Sequence, residues 1–374
     1  MTRTHWPALV IGGGPAGSAA ATTLARAGVA PLLTERTARF DRTVCGAFLG
    51  ADAIARLDRL GVDAFQLGAQ PITRVRFVNG SHVVETDLPF TAAGLSRRAL
   101  DQALIEAAEA AGAVVRRGAS VRNACLDSRS AYLRTGEVLS GDALFIATGK
   151  HELRGAPRQT SSRHPKALGF RAVLPATAAS RDALARVVEL HFFDGGYAGL
   201  LLQEDGAVNL CVSVDRSHFA KSEGPQAFLE QLGRHAPLLG ERIRLDVPVS
   251  LSAVAGVPYG WRAESTSAGV FRLGDQGAVI ASLAGDGIAM ALASGQSAAQ
   301  AFVASGPEAA QSWQEAWARK CRSPVVIAET FRRAAQAPIS RGAALHVMQL
   351  FPGLASAAAR LTRIDREFSA AARR

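Results

Sequence analysis

The sequence GGGPAGS at residues 12–18 constrains the fold more than any other feature of the chain. It follows the apolar stretch 8–11 and opens an alanine-rich stretch of helical pattern that ends before Gly28. A second apolar stretch, 29–34, leads to Glu35. The order of strand, glycines, helix, strand and acid predicts a Rossmann-type dinucleotide site.

Each part of this pattern has a physical role. Gly12 permits the tight turn, Gly14 lets the backbone approach a pyrophosphate, and Gly17 lets helix and strand pack closely. The helix N-terminus offers free N–H groups and a positive dipole end to phosphate oxygens. Glu35 is placed to accept hydrogen bonds from the ribose hydroxyls of an adenosine.

Composition bounds the class of protein. The 374 residues are 48% hydrophobic and 20% charged, values that indicate a folded chain of two or three domain-sized units. No apolar run reaches the roughly 18 residues of a membrane span. The four widely spaced cysteines form neither a disulfide framework nor a metal-ligand spacing, so we expect a reduced, cytoplasmic protein without a metal.

The net charge of +10 raises the question of nucleic acid. Residues 331–374 hold eight arginines against Asp365 and Glu367, which is +6 of that total. The excess is carried mostly by arginine, and no zinc-finger, helix-turn-helix or RNA-binding aromatic motif accompanies it. We therefore expect no nucleic-acid partner.

A second glycine-rich region distinguishes between dinucleotides. An apolar strand at 270–273 leads to Gly274 and Asp275, and a glycine turn at 285–287 opens a long alanine-rich helix. A carboxylate such as Asp275 can bind a polyol, and N–H groups at the start of that helix can face an electron-rich ring edge.

These segments resemble the FAD-dependent oxidoreductases of the para-hydroxybenzoate hydroxylase fold, nearest the branch of geranylgeranyl reductases and related bacterial flavoproteins. The resemblance implies FAD, with Asp275 at its ribityl chain and pyrophosphate and the 285–288 turn at the flavin pyrimidine edge. It also implies that an arginine of segment 95–101 approaches FAD, with Arg97 preferred over Arg98. The expected FAD contacts are Gly12, Gly14, Pro15, Ala16, Gly17, Glu35, Arg36, Cys45, Gly46, Arg97, Thr148, Gly149, Gly274, Asp275, Gly285, Asp286, Gly287 and Ile288.

Thr148 and Gly149 depart from the resembled pattern. The hydroxylases usually have an Asp-Gly pair there, which helps to bind both FAD and NAD(P)H. We expect NADPH or NADH as electron donor, or a separate reductase protein in its place.

Two residues are predicted to face the chemistry. Cys45 with Gly46 resembles a Cys-Gly pair of geranylgeranyl reductases that lies near the flavin, where the thiol can position substrate or assist proton transfer. A small filler beside a turn is the other interpretation. Tyr197 resembles part of their aromatic substrate strand and could line the pocket or donate a hydrogen bond, but an ordinary half-buried strand tyrosine is the favoured interpretation. The halogenase WxWxIP motif is absent, which leaves halogenation a minor option.

The predicted architecture is α/β: a Rossmann-type FAD-binding domain interleaved with a strand-rich substrate domain, and a helical C-terminal segment. The C-terminal segment is either a tail packed on the FAD domain or a basic amphipathic cover that makes weak contact with a membrane surface. The predicted ranges are 1–68, 95–155 and 262–305 for FAD, 69–94 and 156–261 for substrate, and 306–374 for the C-terminal segment.

The leading functional hypothesis is an FAD-dependent monooxygenase that hydroxylates a lipophilic or aromatic small molecule in a biosynthetic pathway. A flavin-dependent C=C reductase is the main alternative, because of the matches at Cys45 and Tyr197. A non-catalytic flavoprotein partner, or a module of an electron-transfer complex, is a third possibility.

Overall fold

The structure is a computed structural model that describes residues 3–40, 43–160, 166–243, 251–351, 353 and 360–364. Its strands are β1 Arg3–Ile11, β2 Pro31–Glu35, β3 Phe48–Leu49, β4 Gln70–Asn79, β5 His82–Gly94, β6 Val114–Arg117, β7 Val121–Cys125, β8 Ser130–Leu133, β9 Val138–Ile146, β10 Lys166–Leu174, β11 Val187–Phe193, β12 Gly196–Leu202, β13 Val208–Val214, β14 Leu251–Pro258 and β15 Val270–Arg272. Its α-helices are α1 Pro15–Arg26, α2 Ala51–Arg59, α3 Arg97–Ala110, α4 Ala178–Leu184, α5 Arg216–Phe219, α6 Pro225–His235, α7 Pro237–Arg242, α8 Gly287–Ser305, α9 Ala309–Gln336 and α10 Pro338–Leu350.

The first sheet has the order β6-β2-β1-β9-β8-β7, and β15 adds to β9. Strands β6, β2, β1, β9 and β15 run parallel, whereas β7 and β8 form an antiparallel extension. Strand β2 is buried along its whole length, as expected for a parallel strand covered on both faces. Stacked Phe145 and Phe271, with ring centroids 4.6 Å apart, join β9 to β15 inside the core.

The second sheet has the order β14-β10-β13-β12-β11-β4-β5-β3 and is antiparallel except between β11 and β4. Its hairpin β12–β13 turns at Gly206, whose φ of +73° suits the left-handed region. Helices α6 and α7 cover a separate apolar core on this sheet. The buried residues of this core include Phe170 and Leu229. This layer therefore has a hydrophobic core of its own.

Helix α8, from the second half of the chain, packs against α1 from its start. A Cβ on Gly295 would lie 2.1 Å from the Ala16 carbonyl oxygen, so only glycine allows this close contact. The two halves of the nucleotide-binding layer are thus joined across more than 250 residues of sequence, which is why no linker separates the predicted domains.

The C-terminal helices cover the structure from one side. Helix α9 buries Trp313 and Trp317 in the main core, and α10 places Leu345 beside Tyr197 in a smaller apolar cluster. Among the described residues, no helix is both long and apolar enough to span a bilayer.

The predicted fold class is confirmed, with a Rossmann-type parallel sheet, a strand-rich layer and a helical C-terminal segment. The apolar patterns of the substrate layer predict strands near 166–174, 187–193, 198–202 and 207–214, and β10, β11, β12 and β13 lie within two residues of these bounds. The first strand is five residues longer than the predicted 8–11, because it pairs with β9 from Arg3 onward. The domain boundaries themselves remain predictions.

Candidate FAD and substrate site

A cleft with a volume of about 460 Å³ opens between the two sheets, at the carboxyl ends of β1, β2, β9 and β15. Ligands of open α/β sheets bind at this edge, where the strand order reverses. The predicted residues that line it are Gly12, Gly14, Pro15, Ala16, Glu35, Arg36, Cys45, Gly46, Arg97, Thr148, Gly149, Gly274, Asp275, Gly285, Gly287 and Ile288.

The glycine turn between β1 and α1 is shaped by close backbone contacts. Gly12 has a φ of +106°, and a Cβ on Gly17 would lie only 1.8 Å from the Gly12 carbonyl oxygen. Gly17 itself does not line the cleft; it allows α1 to start directly against the turn. The N-cap residue, Gly14, has no side chain that could cap the helix, so the first N–H groups of α1 are available to a pyrophosphate.

Glu35 fixes the glycine loop from the end of β2. Its carboxylate accepts hydrogen bonds from the backbone N–H of Gly13 and of Thr37, both at 2.8 Å. The side chain is buried and also borders the cleft. Glu35 therefore orders the loop that would receive the adenosine half of the cofactor.

A second helix N-terminus meets the cleft from the other side. Gly285, Gly287 and Ile288 line the cleft at the start of α8. Asp286, the N-cap residue, directs its carboxylate away to accept a 2.8 Å hydrogen bond from Thr362 and makes no capping bond. Burial raises the pKa of Asp286 to about 6. The N–H groups of α8 thus also remain available to a ligand.

Arg97 stands at the start of α3 beside the glycine turn. Its guanidinium donates two 2.8 Å hydrogen bonds to the buried carboxylate of Asp101. Burial lowers the pKa of Arg97, but Asp101 and the neighbouring Cys45 thiol outweigh burial and raise it. The exposed Arg98 reaches Glu204 instead, at 3.8 Å, so the geometry places Arg97 at the cleft.

The loop after β9 closes the cleft near the GD segment. Arg36 donates a 2.8 Å hydrogen bond to His151 Nε2, and burial together with Arg36 lowers the pKa of His151. Buried Arg158 donates to the carbonyl oxygens of Lys150 and Asp275, at 2.9 and 3.1 Å. These bonds hold the 148–151 loop against the loop that carries Asp275.

Two cysteines, a tyrosine and a lysine form the wall of the cleft on the side of the second sheet. We call Cys45, Lys150, Cys211 and Tyr259 the reactive wall; all four line the cleft. Burial raises the pKa of the Cys211 thiol to about 11, so it stays protonated at neutral pH. The neighbouring surface is apolar, with Val212 and Val254 among its members.

A chain of three hydroxyl groups joins two members of the cleft lining, Tyr259 and the exposed Ser282, to the buried Tyr197. Tyr259 Oη lies 2.8 Å from Ser282 Oγ, which also accepts a 2.6 Å hydrogen bond from Tyr197 Oη. Tyr197 does not line the cleft and lies one hydroxyl behind it. Burial raises its pKa well above the ordinary tyrosine value, so Tyr197 remains a neutral donor.

Most of the predicted site residues line the cleft, but sequence reasoning missed part of the wall. Gly17, Asp286 and Tyr197 lie just outside the cleft lining. The missed residues are Lys150, Cys211, Ser282 and Tyr259. Lys150 had a usable signal, because it directly follows Gly149 and is one of only four lysines among 42 basic residues.

The geometry fits FAD. Two uncapped helix N-termini approach one cleft, and a Cβ at Gly14 would come within 3.3 Å of the Arg97 guanidinium, so that part of the cradle accepts only glycine without rearrangement. The α1 terminus suits the pyrophosphate, the Asp275 loop suits the ribityl chain, and the α8 terminus suits the flavin ring edge.

Comparisons with known proteins agree with this assignment. A family model described as FAD binding domain matches residues 5–139. Digeranylgeranylglycerophospholipid reductase 2 of Methanopyrus kandleri is 28% identical over 312 residues, 78% of this chain and 75% of that protein. Menaquinone reductase of Mycolicibacterium smegmatis is 26% identical over 347 residues, 88% of this chain and 82% of that protein.

The fold is also that of a solved flavin-dependent brominase, with a TM-score of 0.76 at 16% identity over 99% of this chain and 98% of that one. At this identity the likeness concerns the fold alone. The motif matches, the cleft geometry and the two reductase relatives together confirm the resemblance to the geranylgeranyl reductase branch of the para-hydroxybenzoate hydroxylase fold. The chain is an FAD-dependent oxidoreductase.

Proposed function

We propose that this oxidoreductase reduces a carbon–carbon double bond of a lipophilic substrate. The observation that carries the proposal is the Tyr259 hydroxyl on the cleft wall, hydrogen-bonded to Ser282 in the same lining, with Tyr197 hydrogen-bonded to Ser282 from behind. Reduction of a double bond requires a hydride and a proton, and this hydroxyl chain is a built proton source. Both curated relatives described above are named reductases, which favours reduction over the hydroxylation that the sequence suggested first.

The protein's part in such a reaction is to deliver a proton and exclude water. Bound FAD, when reduced, supplies the hydride. Tyr259 Oη donates the proton to the carbon that does not receive the hydride. After the product leaves, the exposed Ser282 Oγ, held by the hydrogen bond from neutral Tyr197, passes a proton from solvent to Tyr259. The thiols of Cys45 and Cys211 and the apolar residues around them keep the substrate end of the cleft dry.

Hydroxylation of a lipophilic aromatic substrate is the second candidate. The observation that favours it is Lys150 on the same apolar wall, because an ammonium group can hold a phenolate beside the flavin. For either reaction we propose NADPH or NADH as the electron donor. A separate reductase protein replaces them if the Thr148–Gly149 loop does not receive a nicotinamide.

We further propose that the substrate comes from an anionic membrane surface that α10 contacts. Ile339, Leu350 and Phe351 expose 90%, 61% and 62% of their surface, and the only charged side chain of α10, Arg341, is buried against Asp194. An apolar helix face without exposed charge suits the acyl boundary of a bilayer. Of the eight arginines in 331–374, Arg332, Arg341 and Arg363 are buried in ion pairs, and the other five would supply the attraction to anionic headgroups.

An anaerobic single-turnover experiment tests the reaction. FAD-loaded protein is reduced with dithionite, freed of excess dithionite and mixed with an alkyl enone, and the product is analysed by mass spectrometry and by NMR, which shows whether the carbon–carbon double bond has been saturated. The proposal predicts a product that has gained two hydrogens, with flavin reoxidised in the absence of oxygen. A product that gains one oxygen atom, and forms only after air is admitted, would replace reduction by hydroxylation.

A further inference from the structure

We propose that Lys150 is an oxyanion subsite, which binds a substrate oxygen that is conjugated to the reacting carbon and carries negative charge as an enolate or a phenolate. The inference rests on the proposed function, since it specifies the class of substrate for the same cleft. It assigns a role to a residue that neither the motifs nor the resemblance indicated.

The surroundings of Lys150 point to a missing anion. Its Nζ donates a 2.9 Å hydrogen bond to the Val44 carbonyl oxygen, on the loop that carries Cys45. Within the described residues this is the hydrogen bond that the ammonium makes, and no carboxylate lies within 4.0 Å of it. Two of its three N–H groups are therefore available to a ligand in the cleft.

The charge of Lys150 is maintained in spite of its apolar surroundings. Burial lowers its pKa, but Asp275, Tyr259 and the thiols of Cys45 and Cys211 raise it above the ordinary lysine value. The lysine is therefore cationic at neutral pH. Lys150 is half-buried at the open cleft, and a ligand oxygen with negative charge would replace the water that the ammonium loses when a substrate fills the cleft.

The cofactor does not account for this cation. The resemblance places the flavin ring edge at the N-terminus of α8, whose uncapped N–H groups supply the positive end of a dipole there. Lys150 lies on the return loop after β9 and bonds to the loop of Cys45, on the reactive wall. Its bond to the loop of Cys45 supports a role toward the substrate, although Asp275 is the carboxylate that acts most on its charge.

The subsite gives the proposed reduction a balanced course. The hydride adds to the β-carbon of an alkene conjugated to a carbonyl group, and the π electrons move to the carbonyl oxygen, which Lys150 then holds as an enolate. Tyr259 gives its proton to the α-carbon, which restores the carbonyl group and leaves the saturated product. The substrate gains one hydride and one proton, and the two electrons come from reduced FAD.

A spectroscopic titration with 4-nitrophenol tests the subsite without turnover. FAD-loaded protein is titrated with the probe at several pH values, and the phenolate band is followed in difference spectra against loaded protein alone. Lys150 is expected to make the bound probe about tenfold more ionised than free probe at the same pH. In Lys150→Met the ratio should return to that of free probe, whereas Lys150→Arg should retain most of the shift.

Matched controls separate charge from packing. Lys221→Met, at an exposed position, should leave the shift unchanged, and neutral nitrobenzene should bind equally to the wild type and to Lys150→Met. If Lys150→Met fails to retain FAD, Lys150→Gln takes its place with the same criteria. An unshifted probe in the wild type, or a shift that survives loss of the lysine, overturns the subsite.

The two proposals fail in different ways. A shifted probe without any reduced product would retain the oxyanion subsite and reject C=C reduction. A reduced product without a shifted probe would retain reduction and reject the role of Lys150.

Discussion

The two sides of the cleft are built in different ways. The cofactor side is formed by backbone: glycine turns and two helix N-termini, each encoded by residues adjacent in sequence. The reactive wall is formed by side chains from four separate segments, which supply Cys45, Lys150, Cys211 and Tyr259. A backbone site must be locally encoded, whereas a side-chain site needs only that the fold bring distant strands together.

This difference predicts that substitutions on the two sides of the cleft will change different measurable properties of the protein. Changes on the cofactor side should alter FAD loading, and changes on the reactive wall should alter turnover while FAD stays bound. The following predictions test that separation.

The largest effect is expected from Tyr259→Phe. Loss of the proton source at the cleft should slow single-turnover reoxidation by an enone about 100-fold, with FAD loading unchanged. Tyr197→Phe removes only the hydrogen bond that Tyr197 donates to Ser282, so it should slow the reaction only about fivefold. Stopped-flow absorbance of the flavin measures both; equal effects of the two variants would contradict the order of the hydroxyl chain.

On the cofactor side, Gly17→Ala should weaken FAD binding about 30-fold. The new Cβ would collide with the Gly12 carbonyl oxygen and force the turn and α1 apart. Equilibrium binding of FAD to apoprotein, followed by flavin fluorescence, provides the affinity. Gly342→Ala on α10, where a Cβ meets open space, is the matched control and should bind FAD normally. Normal affinity in Gly17→Ala would mean that the turn is not the pyrophosphate site.

Asp286→Asn should stabilise the protein by about 3 kcal/mol at pH 7.5. Burial raises the pKa of Asp286 from 3.8 to about 6, so the folded state binds this proton more tightly than the unfolded state. The wild type therefore loses stability as pH rises from about 4 to about 6, and the amide, which carries no charge, does not. Urea unfolding of both proteins across this range should show a difference that grows with pH. A constant difference would exclude titration of Asp286 as its cause.

The smallest effect is expected at the surface of α10. The double substitution Ile339→Glu and Leu350→Glu should weaken binding to phosphatidylglycerol vesicles about fivefold, because it places charge on the apolar face. Val303→Glu, on an exposed position of α8, is the matched control. Co-sedimentation with vesicles measures the binding. Unchanged sedimentation would reject the membrane contact, and a change in oligomeric state would indicate a second copy of the chain as the partner.

The contrast also explains what could be predicted from sequence. The glycine turn, Glu35 and the Gly274–Asp275 segment were recognisable because their chemistry depends on residues a few positions apart. Tyr197 was selected from a strand pattern, but its neighbour through Ser282, Tyr259, is the one that reaches the cleft. Periodicity places a tyrosine on a strand, but it does not show which of two strands lies nearer the ligand.

Asp286 shows that a local motif on the cofactor side does not determine the direction of every side chain in it. Its place between two glycines of a cofactor turn predicted an FAD contact, yet its side chain bonds to Thr362, 76 residues later. Only the position of the C-terminal segment determines the direction of that side chain, and no local pattern encodes it.

The most direct test of this account is a crystal structure of the FAD-loaded protein. We predict electron density for the pyrophosphate at the start of α1 and for the flavin ring between the start of α8 and the reactive wall, with Lys150 and Tyr259 facing open space in front of the ring. A flavin ring bound away from Cys45, Lys150 and Tyr259 would contradict the account, since the proposed proton source and oxyanion subsite would then face no reacting carbon.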